Sequence, residues 1–186
     1  MLSKIKIDVD IDVDKLKESL YNIISLRSWE QNQISLQHRY GITDLTDGIG
    51  SLWYNDGVKS DIEFNEWYSD LQDEYIVKVL SSLPFNVYRT RIMNILPKRC
   101  YTMHRDKSIR FHIPIDTAEG KGRFLFDHGE VLNMPEGSCY ILNTKLDHTA
   151  MNCHPKLDRI HIVGCLEEKH ETENSFMIDI YEKFES

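Results

Sequence analysis

The chain has 186 residues, 41% of them hydrophobic and 28% charged, which is the composition of one globular domain with a sizeable core. Its formal net charge of −8 opposes a nucleic-acid-binding role, which needs a basic face, and no apolar run approaches the ~20 residues that span a bilayer. Cys100, Cys139, Cys153 and Cys165 form no Cys-x-x-Cys pair, which argues against a structural zinc site; they are expected to be reduced and mostly buried, in a cytoplasmic protein whose first residues lack the apolar core of a signal peptide.

Residues 5 to 13 alternate, with Ile5, Ile7, Val9, Ile11 and Val13 on one face, and predict a half-buried strand. A helix follows, with Asp12 or Asp14 near its start and Leu16, Leu20, Ile23 and Ile24 on its apolar side. Residues 28 to 59 show no clear period. Gly41, Gly48, Gly50, Gly57 and the pair Trp53-Tyr54 there suggest loop, short strand and part of a pocket wall. Ser60 with Glu63 three places on has the form of a capping box. Phe64, Trp67, Leu71, Tyr75, Val79 and Leu80 then repeat at helical spacing and predict the strongest helix of the chain, ending before Pro84.

From Asn86 the pattern changes to short strands near 87–95, 99–104, 109–115, 122–126, 138–143, 146–151 and 158–165. Turn chemistry separates most of them, as at Leu96-Pro97-Lys98, Asp127-His128-Gly129 and Pro135-Glu136-Gly137. Many short strands at regular intervals predict a barrel or double-sheet jelly roll, mainly β with flanking helices. Phe176, Ile180, Tyr181 and Phe184 predict a last helix on the outside. There is no repeat or linker, so residues 1–186 read as one domain. Within it, 1–85 flanks the barrel, 86–166 forms the barrel and 167–186 forms the last helix.

Two strands alternate in an unusual way. In Arg110 to Ile115 and in Arg159 to Val163 the less apolar face carries Arg and His rather than solvent-facing residues. With helices on one face, the other would line a cavity, and Arg110, His112, Arg159 and His161 would point into it. His104 and Asp106 stand two apart, which on a strand places both on one face, ~6.5–7 Å apart along the backbone. His148 is the best third ligand. Two histidines and one carboxylate leave adjacent coordination positions open, an arrangement used by non-haem Fe(II) oxygenases. Arg159 follows His148 by eleven positions, across a turn at Pro155. A buried guanidinium there suits the distal carboxylate of a keto acid; pairing with Asp147 or Asp158 is the plainer alternative.

These residues resemble the cupin-fold Fe(II)/2-oxoglutarate oxygenases, in particular the aspartyl/asparaginyl β-hydroxylase-like branch that includes bacterial free-proline hydroxylases. The likeness is carried by His104-Arg105-Asp106, Arg110 to Ile115, the Pro135-Glu136-Gly137 turn, Asn143-Thr144, His148 to Asn152 and Arg159-Ile160-His161, over roughly residues 87 to 165. It implies a double-stranded β-helix with Fe(II) on His104, Asp106 and His148. It also implies Arg159 on the distal carboxylate of 2-oxoglutarate, and Arg110 as a second arginine helping to place that co-substrate. The hydroxylases proper of this branch use two histidines and no carboxylate, so His112 is the alternative first ligand. Asn152, Thr144 and His161 are possible supporting groups.

The implied reaction consumes O2 and 2-oxoglutarate, releases succinate and CO2, and hydroxylates an amino acid, a peptide side chain or another small metabolite. The competing readings are a non-redox metal-binding cupin, acting as an isomerase or hydrolase, and a catalytically silent ligand-binding jelly roll. Substrate choice is expected from residues 28–59 and 98–103 and the His128 turn, with Lys98, Arg99 and Arg105 available to attract an acidic substrate.

Overall fold

The structure is a computed structural model that describes residues 2–51 and 60–186. Trp53-Tyr54 and Gly57, read above as part of a loop and pocket wall, lie outside the described residues.

Two antiparallel sheets face each other. The larger contains β1 (Lys4–Ile7), β2 (Gln33–Ser35), β5 (Tyr88–Ile95), β7 (Arg110–Thr117), β10 (Cys139–Leu142) and β12 (Arg159–Cys165), in the order β1-β10-β7-β12-β5-β2. The smaller runs β6-β11-β8-β9, with β6 at Arg99–Cys100, β8 at Gly122–Phe126, β9 at Val131–Leu132 and β11 at His148–Asn152. From β5 onward the chain crosses from one sheet to the other at nearly every connection, which is the winding of a jelly roll, as the strand pattern predicts. A separate hairpin joins β3 (Gln37–Arg39) to β4 (Phe64–Trp67). The helices are α1 (Val13–Leu26), α2 (Tyr75–Ser81) and α3 (Ser175–Glu185). Among the described residues no helix is long and apolar enough to cross a membrane.

Alternation along the large sheet sorts its side chains into two layers. Phe111, Ile113 and Ile115 of β7, Ile92 of β5, Ile141 of β10 and Ile162 of β12 pack outward. They meet Leu16, Leu20 and Ile23 of α1, the apolar side of α2, and Met177, Ile180, Tyr181 and Phe184 of α3. Ile95 and Leu142 point inward instead and meet Phe124, Phe126, Leu132 and Ala150 of the small sheet. Burying the outward face under helices leaves the inward face of β5, β7 and β12 as the only place for their Arg and His side chains.

Four expectations are corrected. The first strand ends at Ile7, because its partner β10 pairs only from Leu142 to Cys139; Val13 already belongs to α1, with Asp12 as the N-cap accepting from the amides of Asp14 and Lys15. Ile24 is at the exposed edge of that helix, not on its buried side. The long helix predicted after Ser60 is broken. The capping box is real but serves one 3-10 turn, Asp61–Glu63, after which the chain becomes β4, a second 3-10 turn and only then α2. Pairing of β4 with β3 outweighs the local helical spacing, since Gln37 to Arg39 offer β4 a ladder and Tyr68 N–H finds the Leu36 carbonyl. All four cysteines are free thiols, but Cys100 and Cys153 are exposed and only Cys139 and Cys165 are buried. β1 and β2, from the N-terminal part, form the two edges of the large sheet.

Candidate metal centre and the cavities beside it

His104 is not on a continuous strand. β6 stops at Cys100, and His104 forms an isolated bridge with His148, each amide donating to the other's carbonyl at 3.0 and 2.9 Å. Residues directly opposite in an antiparallel bridge project to the same face, so the bridge brings the two rings together, with centroids 4.4 Å apart. Asp106 N–H donates to the Thr144 carbonyl at 2.8 Å, and the Thr144 hydroxyl donates to the Ser108 carbonyl. Thr144 thereby holds the segment that carries the carboxylate.

Ligand atoms of His104, Asp106 and His148 all lie within 4.8 Å of one another. Each imidazole is tied from behind: His104 Nδ1 lies 2.7 Å from the Thr102 carbonyl and His148 Nδ1 lies 2.9 Å from the Leu146 carbonyl. A carbonyl only accepts, so both Nδ1 atoms carry a proton, which leaves each Nε2 as the ligand atom of the neutral ring. Those Nε2 atoms face Asp106, at 4.0 Å from His104 and 3.6 Å from His148, too far for hydrogen bonds. Burial pushes the His148 ring below its ordinary pKa; the Leu146 carbonyl and Asp106 pull it back, while His104 and Arg110 add to the fall. Three ligand atoms converging in this way are the donor set a divalent cation completes.

Behind this cluster lies a small cavity of 60 Å³ between the sheets, lined by His112, Phe124, Ala150, Arg159 and Val163 together with the three donors. Arg159 is 3% exposed. One of its amino groups donates to His161 Nδ1 at 3.3 Å, and its Nε has no partner among the described residues. Burial lowers its pKa to about 10, with Tyr101 opposing, so it stays charged at neutral pH. It pairs with neither Asp147, which engages Arg105, nor Asp158, which accepts from Asn94. His112 is buried, and neither of its ring nitrogens has a hydrogen-bond partner among the described residues. Burial first, then the charges of Arg159, Arg110, His148 and Arg91, hold it far below its ordinary pKa. The structure does not bring His112 into the donor cluster; it faces the cavity between that cluster and Arg159.

The remaining sequence candidates fall into place around these. Arg110 Nε lies 2.8 Å from Asp106 Oδ2, an ion pair without an aligned hydrogen bond, so this arginine braces the carboxylate. Asn152 is a structural clamp away from the cluster: its amide donates to the Ile95 and Leu157 carbonyls and its oxygen accepts from His154 N–H. A second, open cavity of 490 Å³ shares His104, Asp106, Arg110, Met93 and Tyr101 with the inner space. It extends outward past Gln33, Gly50, Asp61, Arg89 and Arg91. Arg105 lines it; Lys98 and Arg99 do not.

Sequence reasoning missed Arg91 and Asp61, and it covered Gln33 and Tyr101 only within the ranges 28–59 and 98–103. The signal for the first was present: Arg91 and Met93 alternate with Thr90 and Ile92 in β5, the same Arg-bearing inward face read correctly in β7 and β12.

No family model matches the chain, and no curated protein matches it in sequence. Among solved structures it is similar to the viral collagen prolyl hydroxylase vCPH from Paramecium Bursaria Chlorella virus-1, at 11% identity over 89% of this chain and 91% of that one, with a TM-score of 0.50. It is similar to AviO1 from Streptomyces viridochromogenes Tue57 at 12% identity over 92% of both chains, again with a TM-score of 0.50. A cupin domain from Bordetella pertussis covers 44% of this chain and is itself covered to 82%, at 14% identity and a TM-score of 0.38. The fold is a jelly roll, mainly β with flanking helices, shared over most of the chain with the vCPH and AviO1 structures.

Proposed function

We propose that the chain is an Fe(II)- and 2-oxoglutarate-dependent oxygenase that hydroxylates an amino acid, a peptide side chain or another small metabolite. The observation that carries this reading is the cluster of His104, Asp106 and His148, whose ligand atoms all lie within 4.8 Å of one another while both Nδ1 atoms are held by backbone carbonyls. Arg159 supports it as a buried charge with an unpaired Nε facing a cavity that also contains the cluster. The two solved structures with full-length likeness bear on it only through their fold, one of them being named as a prolyl hydroxylase. The motifs from His104 to His161 favour the aspartyl/asparaginyl β-hydroxylase-like branch.

In this reading His104, Asp106 and His148 hold the iron, and Arg159 receives the distal carboxylate of 2-oxoglutarate through a charge-assisted bond. Bound together with O2, the pair supplies oxidation of a substrate C–H bond coupled to loss of CO2 and formation of succinate. The chain's own part is positioning and exclusion of water. Thr102 and Leu146 fix the imidazoles, Thr144 and Arg110 fix Asp106, and Phe124 stacks on the His148 ring at 5.0 Å and closes the inner wall. Tyr101 stands close enough to Arg159 to influence its charge, so its hydroxyl is a second contact for the co-substrate.

Anaerobic titration of metal-free protein with Fe(II) and 2-oxoglutarate tests this, read by the visible charge-transfer band of the complex. Wild type should give the band, His104→Ala, Asp106→Ala and His148→Ala should abolish it, and Arg159→Ala should weaken 2-oxoglutarate binding ten- to hundredfold, as loss of about 1.5–3 kcal/mol from a charged hydrogen bond implies. No band at saturating iron would transfer the protein to the non-redox cupins. Loss of the band in His112→Ala with retention in Asp106→Ala would make the two-histidine site correct.

A further inference from the structure

Four arginines line the outer cavity; Arg105 is paired with Asp147, and the commitments of the other three differ. Arg89 is saturated: its Nε donates to the Gly48 carbonyl, Nη2 to the Gly50 carbonyl and Nη1 to Asp61 at 3.0 Å. Arg110 is paired with Asp106. Arg91 is 2% exposed, yet only its Nη1 is engaged, donating to Gln33 Oε1 at 2.9 Å. Its Nε and Nη2 have no partner among the described residues. These two nitrogens form one edge of the guanidinium, the edge whose parallel N–H bonds fit the two oxygens of a carboxylate. Gln33 also lies within 3.4 Å of the Gly50 amide, so it anchors the closed edge of Arg91 to the cavity wall and leaves the other edge open.

The local charges point the same way. Burial lowers the Arg91 pKa to about 9, and Arg89 and Arg110 push it further in the same direction while Asp61 opposes them. A buried cation crowded by two others and holding two unsatisfied donors is costly until an anion arrives. Among the described residues that line the cavity, none supplies that anion, because Asp61 is taken by Arg89 and Ser108 and Asp106 by Arg110.

We propose that Arg91 is the anchor of a substrate carboxylate, held in the 490 Å³ cavity while the rest of the molecule reaches toward His104 and Asp106. This rests on the oxygenase reading for what happens to the bound molecule, but not for the binding itself. A monoanionic carboxylate suits the cavity better than a phosphate, because Asp61 and Asp106 also line it and repel a second negative charge. The inference concerns a site distinct from Arg159, since β12 pairs Val163 with Arg91 and Arg159 with Ile95, which sets the two arginines about four residues, ~13 Å, apart along the sheet.

The test is NMR of metal-free protein carrying ¹⁵N-labelled arginine, with the Arg91 Nε–H signal assigned by its loss in Arg91→Lys. Acetate, methyl phosphate and acetamide are titrated separately, with and without saturating 2-oxoglutarate. The proposal expects acetate to shift the Arg91 signal saturably, 2-oxoglutarate not to abolish that shift, acetamide to do nothing, and Arg159→Ala to leave it intact. Arg91→Gln should weaken acetate about ten- to hundredfold, with circular dichroism confirming the fold. No saturable shift overturns the proposal. So does a shift produced by methyl phosphate alone, or competition showing that 2-oxoglutarate itself occupies Arg91. Because the titration needs no iron, its result is independent of the charge-transfer band; an absent band with a normal acetate shift would remove the oxygenase reading and leave the carboxylate site standing.

Discussion

Space at the inner site is set by single residues, and Gly122 is the clearest case. It opens β8 beside Arg159, and a Cβ there would sit 2.8 Å from the arginine Cδ and 3.1 Å from its Cγ and Nε. Those atoms lie in the middle of the side chain, so the guanidinium has to move with them. Gly122→Ala should therefore weaken 2-oxoglutarate binding about ten- to hundredfold, the effect of ~1–3 kcal/mol of overpacking, while Fe(II) alone binds as before. Titrating the charge-transfer band against 2-oxoglutarate reads the first quantity, and competition with a coloured chelator reads the second. Equal losses of both would mean that Arg159 is not the residue the methyl displaces.

At the scale of elements, the connection from β11 to β12 decides where Arg159 and His161 lie relative to His148. Asn152 governs that connection with three hydrogen bonds from a buried side chain, two to the carbonyls of Ile95 and Leu157 and one from the His154 amide. Asn152→Ala leaves buried carbonyls and an amide unsatisfied and should cost about 1–3 kcal/mol, seen as a lower urea midpoint with an unchanged slope. Iron binding by the folded fraction should persist, because Asn152 touches none of the three donors. The elements also show where local pattern misleads. Phe64, Trp67 and Leu71 fit helical spacing, yet β4 forms because β3 is available beside it. Strand 5–13 is cut to four residues because β10 offers no further partner. Spacing reports which residues seek burial, and the partner decides the conformation in which they find it.

The whole molecule stores buried imidazoles between its sheets. Burial, followed by neighbouring positive charge, holds His112 and His161 far below the ordinary histidine pKa. Their folded forms are neutral, and the unfolded chain takes up protons near pH 6.5. Their contribution to stability is fully present above that value and is lost as pH falls below it, by up to ~1.4 kcal/mol per pH unit for each group. Urea midpoints of metal-free protein should fall between about pH 7.5 and 5.5, and His112→Leu should flatten that dependence. A flat profile in wild type would show that these rings are not buried neutral in solution. Much of the architecture was legible along the chain: the jelly roll, the last helix, the inward faces of β7 and β12, and the placement of His104, Asp106, His148 and Arg159 around one cavity. These follow from alternation, turn residues and two-residue spacing, all of which are local. Four other features were not legible: the bridge that places His104 opposite His148, the assignment of Arg110 to Asp106, the exclusion of His112 from the donor cluster, and the open edge of Arg91. Each depends on which strand lies beside which and on which partners are already taken, and tertiary pairing alone decides that, because it joins residues dozens of positions apart whose spacing carries no trace of their meeting.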